Sequence, residues 1–148
     1  MRMDPARARA RFAAARVARL ATVGADDLPH LVPVTFALDT GTTDPPDDLV
    51  TAVDSKPKRT TSLRRLRNIA AHPGVSLLVD HYDDTDWTRL WWVRADGLAT
   101  VADTDPAAAA ALSAKYPQYR HEPPRGPFIR IAVTTWRGWA ASAPDPSH

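Results

Sequence analysis

The chain reads as a mainly β protein whose antiparallel strands close, wholly or in part, into a barrel. Three observations predict this. Strand-like segments follow one another through short turns over the first third of the chain, as in an antiparallel meander. About six such segments occur, with two or three short helical patterns that do not alternate with them, so a doubly wound α/β sheet is not expected. The length, 148 residues, is that of one domain, and no internal repeat is visible.

Each element has a local reason. Asp4 stands before Pro5 and an alanine-rich run, an N-cap followed by proline at the first helical position, which predicts an N-terminal helix within residues 1–16. Phe12 and Ala15 fall on one face of it. VARLATV (17–23) reads as a strand and Gly24–Asp27 as a turn. PHLVPVTFALD (29–39) reads as a longer strand, with His30, Val32, Val34, Phe36 and Leu38 on one face; Pro29 and Pro33 mark part of it as irregular or at an edge. A polar loop (41–48) leads to the strand LVTAV (49–53). From about Thr60 the pattern turns helical, with Leu63, Leu66, Ile69 and Ala70 as its apolar stripe and His72-Pro73-Gly74 as its end. VSLLVDHY (75–82) is a strand, DDTDW (83–87) a turn, and residues 88–103 a long strand with a bend expected at Gly97. Asp105-Pro106 opens an alanine helix over 105–117. The proline-rich stretch 117–127 is expected to connect without a packed element of its own. A last strand covers 128–142, so the barrel domain spans 17–142, and residues 143–148 form a loose tail.

Composition narrows the function. The chain has 0 Cys, which excludes disulfides, thiolate metal sites and cysteine nucleophiles and fits a reducing, cytoplasmic setting. No apolar run reaches the ~18 residues of a membrane span. A net charge of +2 is low for a nucleic-acid binder. The Arg-rich start resembles a transit peptide, but its cap and proline fit the helix better. The five His lack zinc-ligand spacing, and no metal site is expected. His81 with Asp80, Asp83, Asp84 and Asp86 reads as a polar hairpin. No nucleophile elbow, Walker loop or dinucleotide loop occurs, so no catalytic side chain is assigned and a bound cofactor is the expected source of any chemistry.

Positive charge is nonetheless concentrated in one place. DSKPKRTTSLRRLRNIAAHP (54–73) leaves a strand and enters a helix through hydroxyl residues. A helix start offers free N–H groups and a partial positive charge, and Lys56, Lys58, Arg59, Thr60 and Thr61 add donors suited to one phosphate. Arg64, Arg65 and Arg67 lie further along, where a solvated face is expected. The alternative is that the whole run is solvated. Trp91 and Trp92 must point to opposite faces of their strand, one toward the core and one toward a partner or a stacked ring.

The order of these parts resembles the pyridoxamine 5′-phosphate oxidase-like split-barrel superfamily. DSKPKR, NIAAHPGVSLLVDHYDD and WTRLWWVRADG are most similar to its deazaflavin-dependent branch, which uses coenzyme F420; the resemblance covers about residues 8 to 142. It implies a six-stranded antiparallel split β-barrel with short flanking helices, forming a homodimer with two cofactor sites at the interface. It implies that the cofactor phosphate meets Lys56, Lys58, Arg59 and Thr60 or Thr61. The ring would lie along Pro33, Val34, Thr35, Phe36, Thr51, Ala52 and Val53, and the partner subunit would close the site with Trp87, Trp91 or Arg94. Flavin-using oxidases of the superfamily carry an Arg on the second strand; HLVPVTF has none.

The expected activity is therefore hydride transfer from reduced F420 to an electron-poor small molecule. Backbone N–H groups near Val34–Phe36 are expected to polarise the ring, and His30 and Tyr82 are candidates for proton delivery. FMN in the same site is the alternative cofactor. A carrier that binds cofactor without turnover, and a nucleic-acid binder using the basic run, are the competing classes.

Overall fold

The computed structural model describes residues 1–41, 47–53 and 60–142, and of residues 60–63 the backbone only. Its elements in chain order are β1 (Arg2–Met3), α1 (Pro5–Ala14), β2 (Ala18–Val23), β3 (Pro29–Val34), β4 (Ala37–Asp39), β5 (Asp48–Ala52), α2 (Thr60–Ala71), β6 (Gly74–His81), a 3-10 turn (Trp87–Arg89), β7 (Trp91–Ala102), α3 (Pro106–Lys115), α4 (Pro117–His121) and β8 (Phe128–Ala140). The strands form one antiparallel sheet in the order β3-β2-β6-β7-β8-β5-β4, with β1 added to β8.

The two ends of that order are consecutive in the chain. β3 stops at Val34 and β4 starts at Ala37, so Thr35 and Phe36 alone separate them. The single long strand expected at 29–39 is thus one bent strand serving both edges: its first half pairs with β2 and its second half with β5. Joining the edges curls the sheet into a barrel that is split at the bend. Counting β3 and β4 together leaves six principal strands, with the two-residue β1 as an addition that the sequence did not announce.

Alternation sends Leu20, Val34, Phe36, Leu49, Leu77, Val79, Val93, Ile129 and Ile131 inward, all buried. Burying each such side chain contributes roughly 1.5–3 kcal/mol. Phe12 of α1 closes one side of the barrel, its ring 4.9 Å from Phe36 and 5.4 Å from Trp136. A smaller cluster, Ala37, Val50, Ala108, Leu112 and Phe128, packs α3 outside β4 and β5. Asp4 and Asp105 cap α1 and α3 as the sequence indicates, accepting from the amides of Arg7 and Ala108.

The bend expected at Gly97 is present as a register shift between β7 and β8, where Asp96 faces Thr135 and Gly97 faces Val133. A Cβ on Gly97 would lie 2.4 Å from the Ala132 carbonyl oxygen, so the close strand approach there requires glycine.

Two expectations fail. Residues 117–127 do contain a packed element: Pro117 starts the short helix α4, and Tyr116 and Tyr119 pack on the α3 cluster. Proline serves there as a first helical residue rather than as a connector. The stripe of α2 is met in part: Leu66 and Ile69 pack on the core, the Leu63 side chain lies outside the described residues, and Ala70 is exposed. Asn68 is buried and Arg65 half-buried, the Asn68 side-chain amide donating to Thr22 Oγ (3.1 Å) on β2. The expectation of a loose tail at 143–148 and the middle of the 41–48 loop lie outside the described residues.

Candidate functional site

The outward residues of five neighbouring strands are unusually apolar. Ala21 (β2), Leu31 (β3), Leu78 (β6), Trp92 (β7) and Trp139 (β8) line a concave surface of about 700 Å³ with Leu90, Tyr82 and Trp91 at one end. Leu31 is 66% exposed and Trp139 40%. Trp92 stands directly opposite Trp139 across the β7–β8 ladder. Large apolar side chains on such a contiguous face mark a partner or ligand surface.

The groove has a small polar centre. Arg94 Nε donates to both Asp96 carboxylate oxygens (2.9 and 3.1 Å), and Ser76 Oγ donates to the first of them (2.6 Å). Burial pushes the Asp96 carboxyl up, but the bonds from Ser76 and Arg94 outweigh it and hold it below the usual range. Arg94 therefore lies in the groove as an oriented cation already paired with an acid.

The bend between β3 and β4 forms the other part of the site. Thr51 Oγ donates to the Thr35 carbonyl (2.7 Å), so the two segments expected to carry the ring, 33–36 and 51–53, are indeed in contact. Val34, Phe36, Thr51 and Val53 are buried, which leaves Pro33, Thr35 and Ala52 to present surface. The α3–α4 corner clasps the bend from behind. The Phe36 amide donates to Tyr116 Oη (3.1 Å), and that hydroxyl lies 3.0 Å from the Phe36 carbonyl and 2.9 Å from the Arg16 carbonyl. Tyr119 Oη and Thr35 Oγ are 3.1 Å apart. The Phe36 N–H is thus committed to Tyr116, which removes it from the group expected to polarise a ring. Tyr116 and Tyr119 were not foreseen; Pro117 directly after Tyr116 is the signal that a helix begins there.

Other candidates divide. Trp87 is exposed on the 3-10 turn. Trp91 is half-buried against the core, stacked on His81 (6.2 Å), with the Arg11 guanidinium 5.0 Å from its ring centre. Tyr82 is exposed and donates to Asp84 (2.9 Å). His30 sits on the opposite face of β3 from Leu31 and so points away from the groove. Lys56, Lys58 and Arg59 lie outside the described residues, as do the side chains of Thr60 and Thr61, whose backbone opens α2. Asp83 accepts from the amides of Thr85 and Asp86 and from Thr85 Oγ, the bonds of an ordinary polar turn. A flat, largely apolar ring system fits the groove and the bend in shape and in chemistry.

A family model described as pyridoxamine 5′-phosphate oxidase matches residues 5–140. A comparison with curated proteins finds no match. Among solved structures, an FAD binding protein from Mycobacterium smegmatis superposes with a TM-score of 0.62 at 15% identity, covering 94% of this chain and 97% of that one. An FAD-binding protein from Mesorhizobium loti gives 0.62 at 20% identity, with 93% of each chain covered. A conserved hypothetical protein from Mycobacterium tuberculosis gives 0.66 at 19% identity, covering 99% of this chain and 95% of that one. At these identities the structures bear on the fold alone, and they agree with the split barrel built above from the strand order. With the family match spanning nearly the whole described chain, this protein belongs to the pyridoxamine 5′-phosphate oxidase family.

Proposed function

We propose that this protein is an oxidoreductase that holds a flavin-type cofactor at the interface of a homodimer, with the deazaflavin coenzyme F420 as the preferred cofactor. The observation that carries this reading is the concave apolar face bearing Leu31, Leu78, Trp92 and Trp139, which one chain leaves open to water. A second copy covering it would bury the indoles and shut water out of the adjoining bend. The cofactor ring would rest on Pro33, Thr35 and Ala52, with Val34, Phe36, Thr51 and Val53 fixing the shape behind them. Lys56, Lys58 and Arg59 would bind its phosphate, with Thr60 and Thr61 at the start of α2. Trp87, Trp91 and Arg94 would close the site from the partner subunit.

When bound, reduced F420 supplies a hydride to an electron-poor small molecule such as a conjugated carbonyl or imine. The chain itself would bind, orient and dry the reacting pair, the effects a positioned site contributes most. Tyr82, at the groove's end, is better placed than His30 to hand over a proton. A cytoplasmic protein without membrane contact goes with this reading; among the described residues no helix is long and apolar enough to cross a membrane.

FMN is the second reading; two similar structures are described as FAD-binding, which favours a flavin over a deazaflavin. The missing Arg on HLVPVTF favours the deazaflavin instead. Fluorescence titration of dialysed protein with F420 and with FMN separates them. Micromolar F420 binding with weak FMN binding supports the proposal, and turnover of reduced F420 against a panel of acceptors separates an enzyme from a carrier. Tighter FMN binding moves the protein to the flavin side. Binding of neither sinks both readings.

A further inference from the structure

This chain favours arginine over lysine. Of its 19 Lys and Arg residues three are Lys, and two of those, Lys56 and Lys58, belong to the basic run. The third, Lys115, ends α3. Arginine keeps its charge in proteins, whereas lysine releases its proton readily when buried. The surroundings of Lys115 exploit that difference. Its Nζ lies 3.7 Å from the centre of the Phe36 ring and 5.3 Å from that of Tyr116. It is shielded from water and meets no acceptor among the described residues. Burial, and then the Arg16 charge, bring its pKa down to about 8. A desolvated lysine beside another cation is an activated nucleophile.

The last turn of a helix ordinarily welcomes a cation, because its free carbonyls carry partial negative charge. Here guanidinium groups already occupy those carbonyls. Arg16 Nη2 donates to the Lys115 carbonyl (3.0 Å), and Arg120 Nη1 donates to the Ala114 carbonyl (3.2 Å). The Arg16 guanidinium also lies 4.7 Å from the centre of the Tyr116 ring, next to the lysine stem. No carboxylate acts on the Lys115 amine. The corner between α3, α4 and the end of α1 therefore opposes a positive group at Nζ and would hold a negative one.

We propose that Lys115, with Arg16 beside it, is a carbamylation site that reversibly takes up dissolved carbon dioxide. The lone pair of the neutral Nζ attacks the carbon, an N–C bond forms, and one C=O electron pair moves onto oxygen. The nitrogen then gives a proton to water. The product is a carbamate, R–NH–COO⁻, with one proton released and nothing oxidised or reduced. The new carboxylate faces the Arg16 guanidinium, whose planar N–H donors suit its two oxygens. An unfavourable pair of like charges becomes a favourable pair of opposite ones. Carbon dioxide is uncharged, linear and small, which matches a shielded amine on a half-buried stem. The site belongs to the α3–α4 corner, so it depends neither on the apolar groove nor on the identity of the cofactor.

The test is carbon NMR of the full chain in isotopically labelled bicarbonate, with no cofactor added. Wild type should show a carbamate resonance that Lys115→Met and Lys115→Arg both lack. The N-terminal amine, with an ordinary pKa of about 7.7–8.0, gives a second resonance that survives in both variants and serves as the reference. At constant dissolved carbon dioxide the Lys115 signal should fall at least about tenfold from pH 8.5 to pH 6.5, as the amine becomes protonated. Arg16→Gln should weaken it severalfold relative to the N-terminal signal, and Arg16→Lys should restore part of the loss. Identical spectra for wild type and Lys115→Met overturn the proposal. So does a Lys115 signal that Arg16→Gln leaves unchanged, since the amine would then react without the site described. Because neither F420 nor FMN is present, failure here is distinct from failure of the cofactor reading.

Discussion

The barrel treats its two sides in opposite ways. Around β4, β5 and the start of β8, charge is buried and satisfied. Arg130 Nε and Nη2 grip both oxygens of Asp105 (3.0 Å each), while Nη1 donates to Asp39 (2.8 Å) and Asp48 (3.1 Å). One guanidinium thereby ties β4, β5, β8 and the cap of α3. Across the barrel, the outer face of β3-β2-β6-β7-β8 exposes indoles and leucines that no described residue covers. The first region is finished within the chain, and the second stays open to solvent among the described residues. The difference separates stability from function, and substitutions on the two sides should separate them too.

The largest effect is expected at Arg130. Arg130→Met leaves three largely buried carboxylates without their cation and should destabilise the fold by about 3–5 kcal/mol. Urea unfolding measures this, and a loss under ~1 kcal/mol would show the network to be dispensable. The acid limb carries a sign. The hydrogen bonds from Arg130 come first among the causes holding the Asp105 carboxyl below its usual range. That stability is present above the unfolded carboxylate value of about 3.9 and is lost as pH falls through the folded value. Wild type should therefore weaken on acidification, while the variant should lose most of that dependence.

Next comes the clasp behind the bend. Tyr116→Phe strands the buried Phe36 amide and should cost about 1–3 kcal/mol, whereas Tyr119→Phe removes a single bond to Thr35 and should cost about 1 kcal/mol. Both should weaken cofactor binding beyond their cost in stability if the bend is the ring's seat. Unchanged affinity in a folded Tyr116→Phe protein would place the ring elsewhere.

On the open side the balance should invert. Leu78 is 39% exposed, so Leu78→Asp should alter monomer stability by no more than ~0.5 kcal/mol. It should nevertheless dissociate a dimer built on this face, read by sedimentation, and lower cofactor affinity at least about tenfold, a difference of ~1.4 kcal/mol. Wild-type protein sedimenting as a monomer at high concentration would remove the interface from the proposal.

What the sequence made legible follows the same division. Strands and caps rest on local patterns, and those of β2, β6, β7, α1 and α3 survive folding nearly unchanged. So does the separation of Trp91 from Trp92, which period-two geometry dictates. The bend at Thr35–Phe36 was not legible, because what breaks the strand is a clasp from residues 116–119, some 80 positions away. α4 was hidden by prolines that mark a turn as readily as a first helical residue. Arg65 read as solvated because apolar periodicity weighs leucines, while α2 is in fact seated by the bond from Asn68 to Thr22. Of the site, the segments proposed to carry the ring come from family resemblance, and their contact through Thr51 and Thr35 is a tertiary fact that no spacing reveals.

The smallest expected effect belongs to a residue that breaks the pattern of its own side. Lys115 stands at the other end of α3 from the Asp105 cap that Arg130 grips, and its Nζ is shielded with no acceptor among the described residues. It lies 3.7 Å from the centre of the Phe36 ring and 5.3 Å from that of Tyr116. Burial, and then the neighbouring Arg16 charge, bring its pKa down from 10.5 to about 8. The aromatic faces attract the charged form, but they do not replace the lost hydration. Below pH 8 folded and unfolded chains are both protonated, and the folded state bears the cost of the buried charge. Between about 8 and 10.5 the unfolded chain keeps a proton that the folded chain gives up, so stability should climb with pH, and above that it should level off. The climb should amount to less than about 1 kcal/mol, since the site is only partly shielded from solvent. Lys115→Met should abolish it and match or exceed wild type at neutral pH. Thermal unfolding at pH 7.5 and pH 10 checks both, expressed as the difference between the two proteins so that other titrating groups cancel. A difference that does not change between those two pH values would mean that the ammonium is adequately hydrated where it lies, and that this side of the barrel holds no unsatisfied charge after all.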